Sequence, residues 1–171
     1  MTVAFDATFL LYLFAPAEQV GVPLDENGFP ITLVAERVKA LVDDLNKPGS
    51  KIVVPTPALS EIMVRAGVEA GQGYINIMRK AKVFWIAPFD EKAAVETAII
   101  AGEATKCPCI RAVTDGTYAK IKYDRQIVGI AVSEGVATLY TDDRNQQAFA
   151  RRHGIKALGI AECLVLTLPR K

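Results

Sequence analysis

Short apolar runs alternate along this chain with longer segments in which apolar residues recur every three or four positions. The runs are Thr2–Phe5, Ile52–Val54, Val83–Ile86, Val136–Thr141 and Ile155–Ile160, rich enough in β-branched and aromatic residues to form buried strands. The segments between them predict helices. Phe9 to Phe14 is apolar all round and so buried, whereas about Thr32 to Leu45 carries Glu36, Arg37, Lys39, Asp43 and Asp44 on a solvated face. Thr56-Pro57 has the form of a helix start, the threonine capping and the proline at the first helical position. Further helices are expected over Gly71–Lys82, from an Asp90 cap to about Ala104, around Asp124, and over Gln146–His153. Residues 15–30, with three prolines and two glycines, read as a loop, and so does the stretch 105–117. Strands alternating with helices from end to end predict an α/β fold: a single domain over 1–171, built as a three-layer α/β/α sandwich on a mostly parallel sheet of about five strands.

Several acids interrupt this pattern. Asp6 stands where the first strand ends, and in open parallel α/β sheets ligands bind just outside the carboxyl ends of strands. Asp124 shares the apolar side of its helix with Ile121, Ile127, Val128 and Ala131, where neither capping nor solvation explains a carboxylate. Glu61 falls near the start of its helix, on the side of Ala58, Val64 and Val68, and Asp142-Asp143 closes the fourth strand. Each has an ordinary explanation: a helix cap for Asp6 or one of the aspartate pair, an Arg65 partner for Glu61, and Arg125 or Lys122 reaching Asp124. Taken together, converging carboxylates repel unless a cation neutralises them, and oxygen ligands without His or Cys suit Mg²⁺ or Mn²⁺. Mg²⁺ held by few carboxylates keeps waters, which leaves room for phosphate oxygens and an attacking water.

Bulk composition narrows the picture only slightly. A net charge of +1 gives no overall attraction to nucleic acid, so any such affinity needs a local patch. Three cysteines, Cys107, Cys109 and Cys163, are an odd count for a disulfide framework and suggest a reducing compartment, while Cys107-Pro108-Cys109 lacks the spacing of a zinc or redox pair. The N-terminal run has no basic flank and is broken by Asp6 and Pro16, so neither a signal peptide nor a membrane span is expected and the protein should be cytoplasmic.

Four local patterns occur in order: a strand then Asp in VAFDATFL, Glu61 on a helix start in PALSEIMV, Asp124 before an apolar helix in YDRQIVGIAV, and Thr-x-Asp after a strand in LYTDDRNQQAFA. In this the chain resembles PIN-domain ribonucleases of the VapC-like toxin type over nearly its whole length. The resemblance implies Mg²⁺ or Mn²⁺ dependence, endonucleolytic cleavage of RNA, a homodimer, and a cognate antitoxin that blocks the acidic pocket. It also implies that Asp6, Glu61, Asp124 and Asp143 hold the metal, with Thr141 orienting the site and Asp142 the less favoured neighbour. Asn145 stands where some members carry a further acid, which puts a second metal in question. For RNA contact Arg79, Lys80, Lys82, Lys120, Lys122, Arg125, Arg144, Arg151 and Arg152 are available, and Tyr118 or Tyr123 could stack a base. The alternatives are a stand-alone PIN nuclease of RNA processing, a Mg²⁺-dependent phosphatase or phosphotransferase using Asp6 as nucleophile, in which Thr8 holds the place of the usual second acid, and a non-catalytic interaction module.

Overall fold

The structure, a computed structural model, describes residues 1–106 and 118–163, with 103–106 and 118–119 described by their backbone alone. Five strands form one parallel sheet: β1 (Thr2–Phe5), β2 (Lys51–Pro55), β3 (Phe84–Ala87), β4 (Thr138–Tyr140) and β5 (Lys156–Leu158), in the order β3-β2-β1-β4-β5. Seven α-helices connect them among the described residues: α1 (Ala7–Phe14), α2 (Val34–Leu45), α3 (Thr56–Ala66), α4 (Val68–Lys80), α5 (Glu91–Lys106), α6 (Tyr118–Ser133) and α7 (Arg144–Arg152). The connections step one way along the sheet from β1 to β3, then return past β1 to β4 and β5. With right-handed crossovers, α1 to α4 cover one face and α5 to α7 the other, which is the expected three-layer sandwich. The reversal of direction falls between β1 and β4, and that is where open α/β sheets leave a crevice beyond their strand ends.

The two strands flanking the crevice end together. Ala4 pairs with Leu139 and Phe5 with Tyr140, and the Asp6 N–H donates to the Tyr140 carbonyl at 3.1 Å, carrying the pairing one residue past the end of β1. Beneath the strand ends, Phe5, Phe9, Tyr12 and Tyr140 pack with ring centroids 5.5–5.8 Å apart. Burying each such ring stabilises the fold by roughly 1.5–3 kcal/mol, so the crevice has a rigid floor.

Several local expectations need correction. Thr56 does not cap α3: the position before the helix is Pro55, and the Thr56 hydroxyl instead accepts the Phe89 N–H at 3.1 Å, tying α3 to the end of β3. The next helix begins at Val68, one turn earlier than expected, because Gly67 at φ 82° provides the break between α3 and α4. Asp90 does cap α5, accepting from the Ala93 N–H at 2.9 Å. That helix runs on to Lys106. The remainder of the expected loop, 107–117, and with it Cys107 and Cys109, lies outside the described residues.

Helix α6, which carries Asp124, packs along α5 through a glycine contact. A Cβ on Gly129 would stand 2.0 Å from Thr97 Oγ1, 3.1 Å from Thr97 Cβ and 3.2 Å from the Ala93 carbonyl oxygen. Gly129→Ala should therefore destabilise the protein by about 1–2 kcal/mol, the overpacking cost outweighing the helix-propensity gain. A lower midpoint in denaturant unfolding, at unchanged slope, is the expected reading.

Candidate metal centre

Asp6 ends β1 and begins α1. Its Oδ1 accepts the Phe9 N–H at 2.9 Å, a helix cap, and its Oδ2 accepts the Thr141 hydroxyl at 2.5 Å. The side chain is only 4% exposed. Burial is the main reason its carboxyl is pushed up from 3.8 to about 7; the two hydrogen bonds oppose the rise, and the charges of Asp142 and Glu61 add to it. Thr141, fully buried just past β4, binds both flanking acids, donating to Asp6 and accepting the Asp143 N–H at 3.1 Å.

Asp143 caps α7, its Oδ1 accepting from the N–H groups of Asn145 at 2.9 Å and Gln146 at 3.0 Å. Its Oδ2 meets the Lys120 ammonium at 2.6 Å. Burial pushes this carboxyl up, but the Lys120 and backbone hydrogen bonds outweigh it and hold the group below the usual carboxylate range. One turn along α6 from Lys120, the half-buried Asp124 is pushed up to about 6, chiefly by burial and then by the charge of Asp143, with Lys120 opposing.

Asp6, Glu61, Asp124 and Asp143 all line one cavity of about 490 Å³, together with Lys120 and Tyr123. Acids spread over more than a hundred residues of chain thus meet at the crevice where the sheet reverses direction.

Two sequence expectations are overturned in detail. Glu61 does not share the buried side of α3, which consists of Ala58, Leu59 and Ile62; Val64 and Val68 are 81% and 79% exposed. Glu61 stands at the exposed rim, paired with Arg65 at 2.9 Å. Asp142 does not line the cavity. Neighbouring residues at a strand exit point to opposite sides. While Thr141 faces Asp6, Asp142 accepts the Tyr12 hydroxyl at 2.6 Å and the Ile160 N–H at 2.7 Å. Of the nine basic residues expected to contact RNA, Lys120 alone lines the cavity, and Arg151 instead donates to the Ala157 carbonyl at 2.8 Å. Tyr123 is half-exposed on the cavity wall, whereas the Tyr118 side chain lies outside those described.

Sequence reasoning missed Gln146. It is 2% exposed and lines the cavity, and its side-chain Nε2 has no hydrogen-bond partner among the described residues. A buried amide donor left unsatisfied is costly and calls for an acceptor such as a water or a phosphate oxygen. The available signal was a glutamine one turn inside a helix, on its core-facing side.

The donor chemistry fits a hard divalent ion: among the described residues, four carboxylates and no competing soft ligand line one cavity. The carboxylates are not yet gathered into a coordination shell, and no three His, Cys, Asp or Glu side chains among the described residues are grouped closely enough to hold an ion. The ion pairs explain the spacing, since Lys120 holds Asp143 and Arg65 holds Glu61. Asp6 in place, and Glu61, Asp124 and Asp143 after side-chain rotation, would hold the ion.

No protein-family model matches the chain, and no curated protein matches it in sequence. Among solved structures, it is similar to VapBC2 from Rickettsia felis bound to a DNA fragment from its promoter, with a TM-score of 0.61 at 15% identity over 93% of this chain and 98% of that one. It is also similar to DNA-bound VapBC from Salmonella typhimurium, with a TM-score of 0.55 at 15% identity over 94% and 98% of the two chains. At such low identity the likeness speaks for the fold alone: the chain shares the architecture of these two solved VapBC proteins, and its own β1 and β4 flank a crevice lined by acids.

Proposed function

We propose that this protein is a Mg²⁺- or Mn²⁺-dependent endoribonuclease acting as the toxin of a toxin–antitoxin pair. The observation that carries this reading is the meeting of Asp6, Glu61, Asp124 and Asp143 in one cavity at the point where the sheet reverses direction. The toxin assignment is supported by fold likeness to proteins solved as VapBC complexes, and it implies an antitoxin partner and a homodimer for this chain.

Asp6, Asp124 and Asp143 would hold the ion, which when bound would supply charge stabilisation at the phosphate and ease deprotonation of water. Asp6 is the fixed member, held between the α1 N-terminus and Thr141. Glu61, on the exposed rim, would leave Arg65 to bind the ion directly or through water and orient the attacking water. Lys120 neutralises phosphate charge, and Tyr123 offers a ring on which an unpaired base stacks.

Asp6→Asn and Asp124→Asn are each expected to reduce Mg²⁺-dependent RNA cleavage by at least about 10³-fold without unfolding the protein, each removing a charged group from the transition-state environment. Undiminished cleavage by both variants would remove this mechanism. The phosphotransferase reading is weaker, because both Asp6 oxygens are engaged within the protein and the side chain is buried. The ion pairs Lys120–Asp143 and Arg65–Glu61 suit a non-catalytic module; such a module would bind no Mn²⁺ in calorimetry.

A further inference from the structure

The geometry points to Lys120 as an internal counter-cation that occupies, in the metal-free protein, the place at Asp143 that the divalent ion takes, so that ion binding is an exchange of one cation for another. This rests on the proposed metal site and concerns how that site is regulated. Lys120 lies on α6 one turn before Asp124, and its ammonium reaches across to Asp143 at the head of α7. It also lies within the field of Glu61. One flexible side chain therefore addresses three of the four acids lining the cavity. Asp143 Oδ1 is committed to the backbone N–H groups of Asn145 and Gln146, which leaves Oδ2 as the oxygen facing outward, and Oδ2 is the atom that Lys120 holds. The ammonium, 2.6 Å from Oδ2, competes with an ion for that oxygen.

The arrangement accounts for the spacing of the acids. Among the described residues the carboxylates share a cavity yet are not grouped for coordination, because the side chain that must turn inward is held by Lys120. A lysine serves for this exchange because its ammonium is a flexible point charge and makes no bidentate fork, so it departs without breaking a planar pair.

Lys120→Met has two expected effects of opposite sign. Without divalent ion at pH 8 the variant is less stable to thermal unfolding than wild type, since Asp143 loses its partner. In calorimetry with Mn²⁺ alone it binds the ion about fivefold more tightly, the weight of one partly exposed ion pair no longer in competition. Lys122→Met, which removes the same charge from an exposed position two residues on, should change the affinity by less than about 1.5-fold, as expected for a screened surface charge. Affinity unchanged or weakened in Lys120→Met would overturn the exchange, as would an equal tightening in Lys122→Met, which would make the effect one of general charge. Mn²⁺ binding by wild type without tightening in Lys120→Met sinks the exchange and leaves the metal site standing; absence of Mn²⁺ binding in both sinks the metal site as well.

Discussion

Asp6→Asn is expected to stabilise the metal-free protein at pH 8 by about 2 kcal/mol, although the same change should abolish the proposed RNA cleavage. The reason is that the fold holds this carboxyl at about 7, against 3.8 for an exposed aspartate. A carboxyl raised on folding contributes stability that is fully present below 3.8 and is lost as pH rises through about 7. Three units at 1.36 kcal/mol each make the cost of ionising Asp6 in the folded chain on the order of 4 kcal/mol above that window. Asparagine carries no such cost. It keeps the cap to Phe9 and gives up part of the bond to Thr141, worth roughly 1.5–3 kcal/mol when the acceptor is charged. The net gain of about 2 kcal/mol corresponds to a rise in Tm of roughly 4–8 °C for a chain of this size. It should shrink as pH falls from 7 toward 4, where Asp6 is protonated in the folded chain and already partly protonated in the unfolded one. Thermal unfolding in chelator at pH 4, 6 and 8 measures it; a variant less stable than wild type at pH 8 would show that Asp6 is held for structure and not for a ligand.

The second large effect is the pH dependence of metal stabilisation. At pH 8, Mn²⁺ at one hundred times its dissociation constant should stabilise the fold by about 2.7 kcal/mol and raise Tm by roughly 5–10 °C. At pH 5 most of that shift should vanish. Asp6 at about 7 and Asp124 at about 6 then hold protons that the ion must displace, while Asp143, lowered by Lys120, remains ionised. Equal shifts at the two pH values would mean that the ion binds elsewhere, on acids of ordinary strength.

Features fixed within a few residues were legible in the sequence. The strand–helix alternation, the cap at Asp90 and the strand-end positions of Asp6 and Asp143 all follow from local spacing, and the structure has them. Features depending on distant partners were not. Thr56 had the form of a cap but is claimed by Phe89, and Asp142 and Asp143 are told apart only by what lies beyond the strand end, Tyr12 and Ile160 for one and Lys120 for the other. Periodicity placed Glu61 on an apolar face by counting Val64 and Val68, but α3 ends at Ala66 and both valines are exposed. Gln146 passed as an ordinary helix residue because its significance, an unsatisfied amide at the cavity wall, depends on the packing of α7 against the sheet.

The most direct measurement is a crystal structure grown with Mn²⁺ at pH 8. One anomalous peak is expected in the cavity, within about 2.2 Å of carboxylate oxygens from Asp6 and Asp124, with Asp143 turned toward it and Lys120 displaced. A cavity holding no ion in saturating Mn²⁺, or an ion bound away from Asp6, would contradict this.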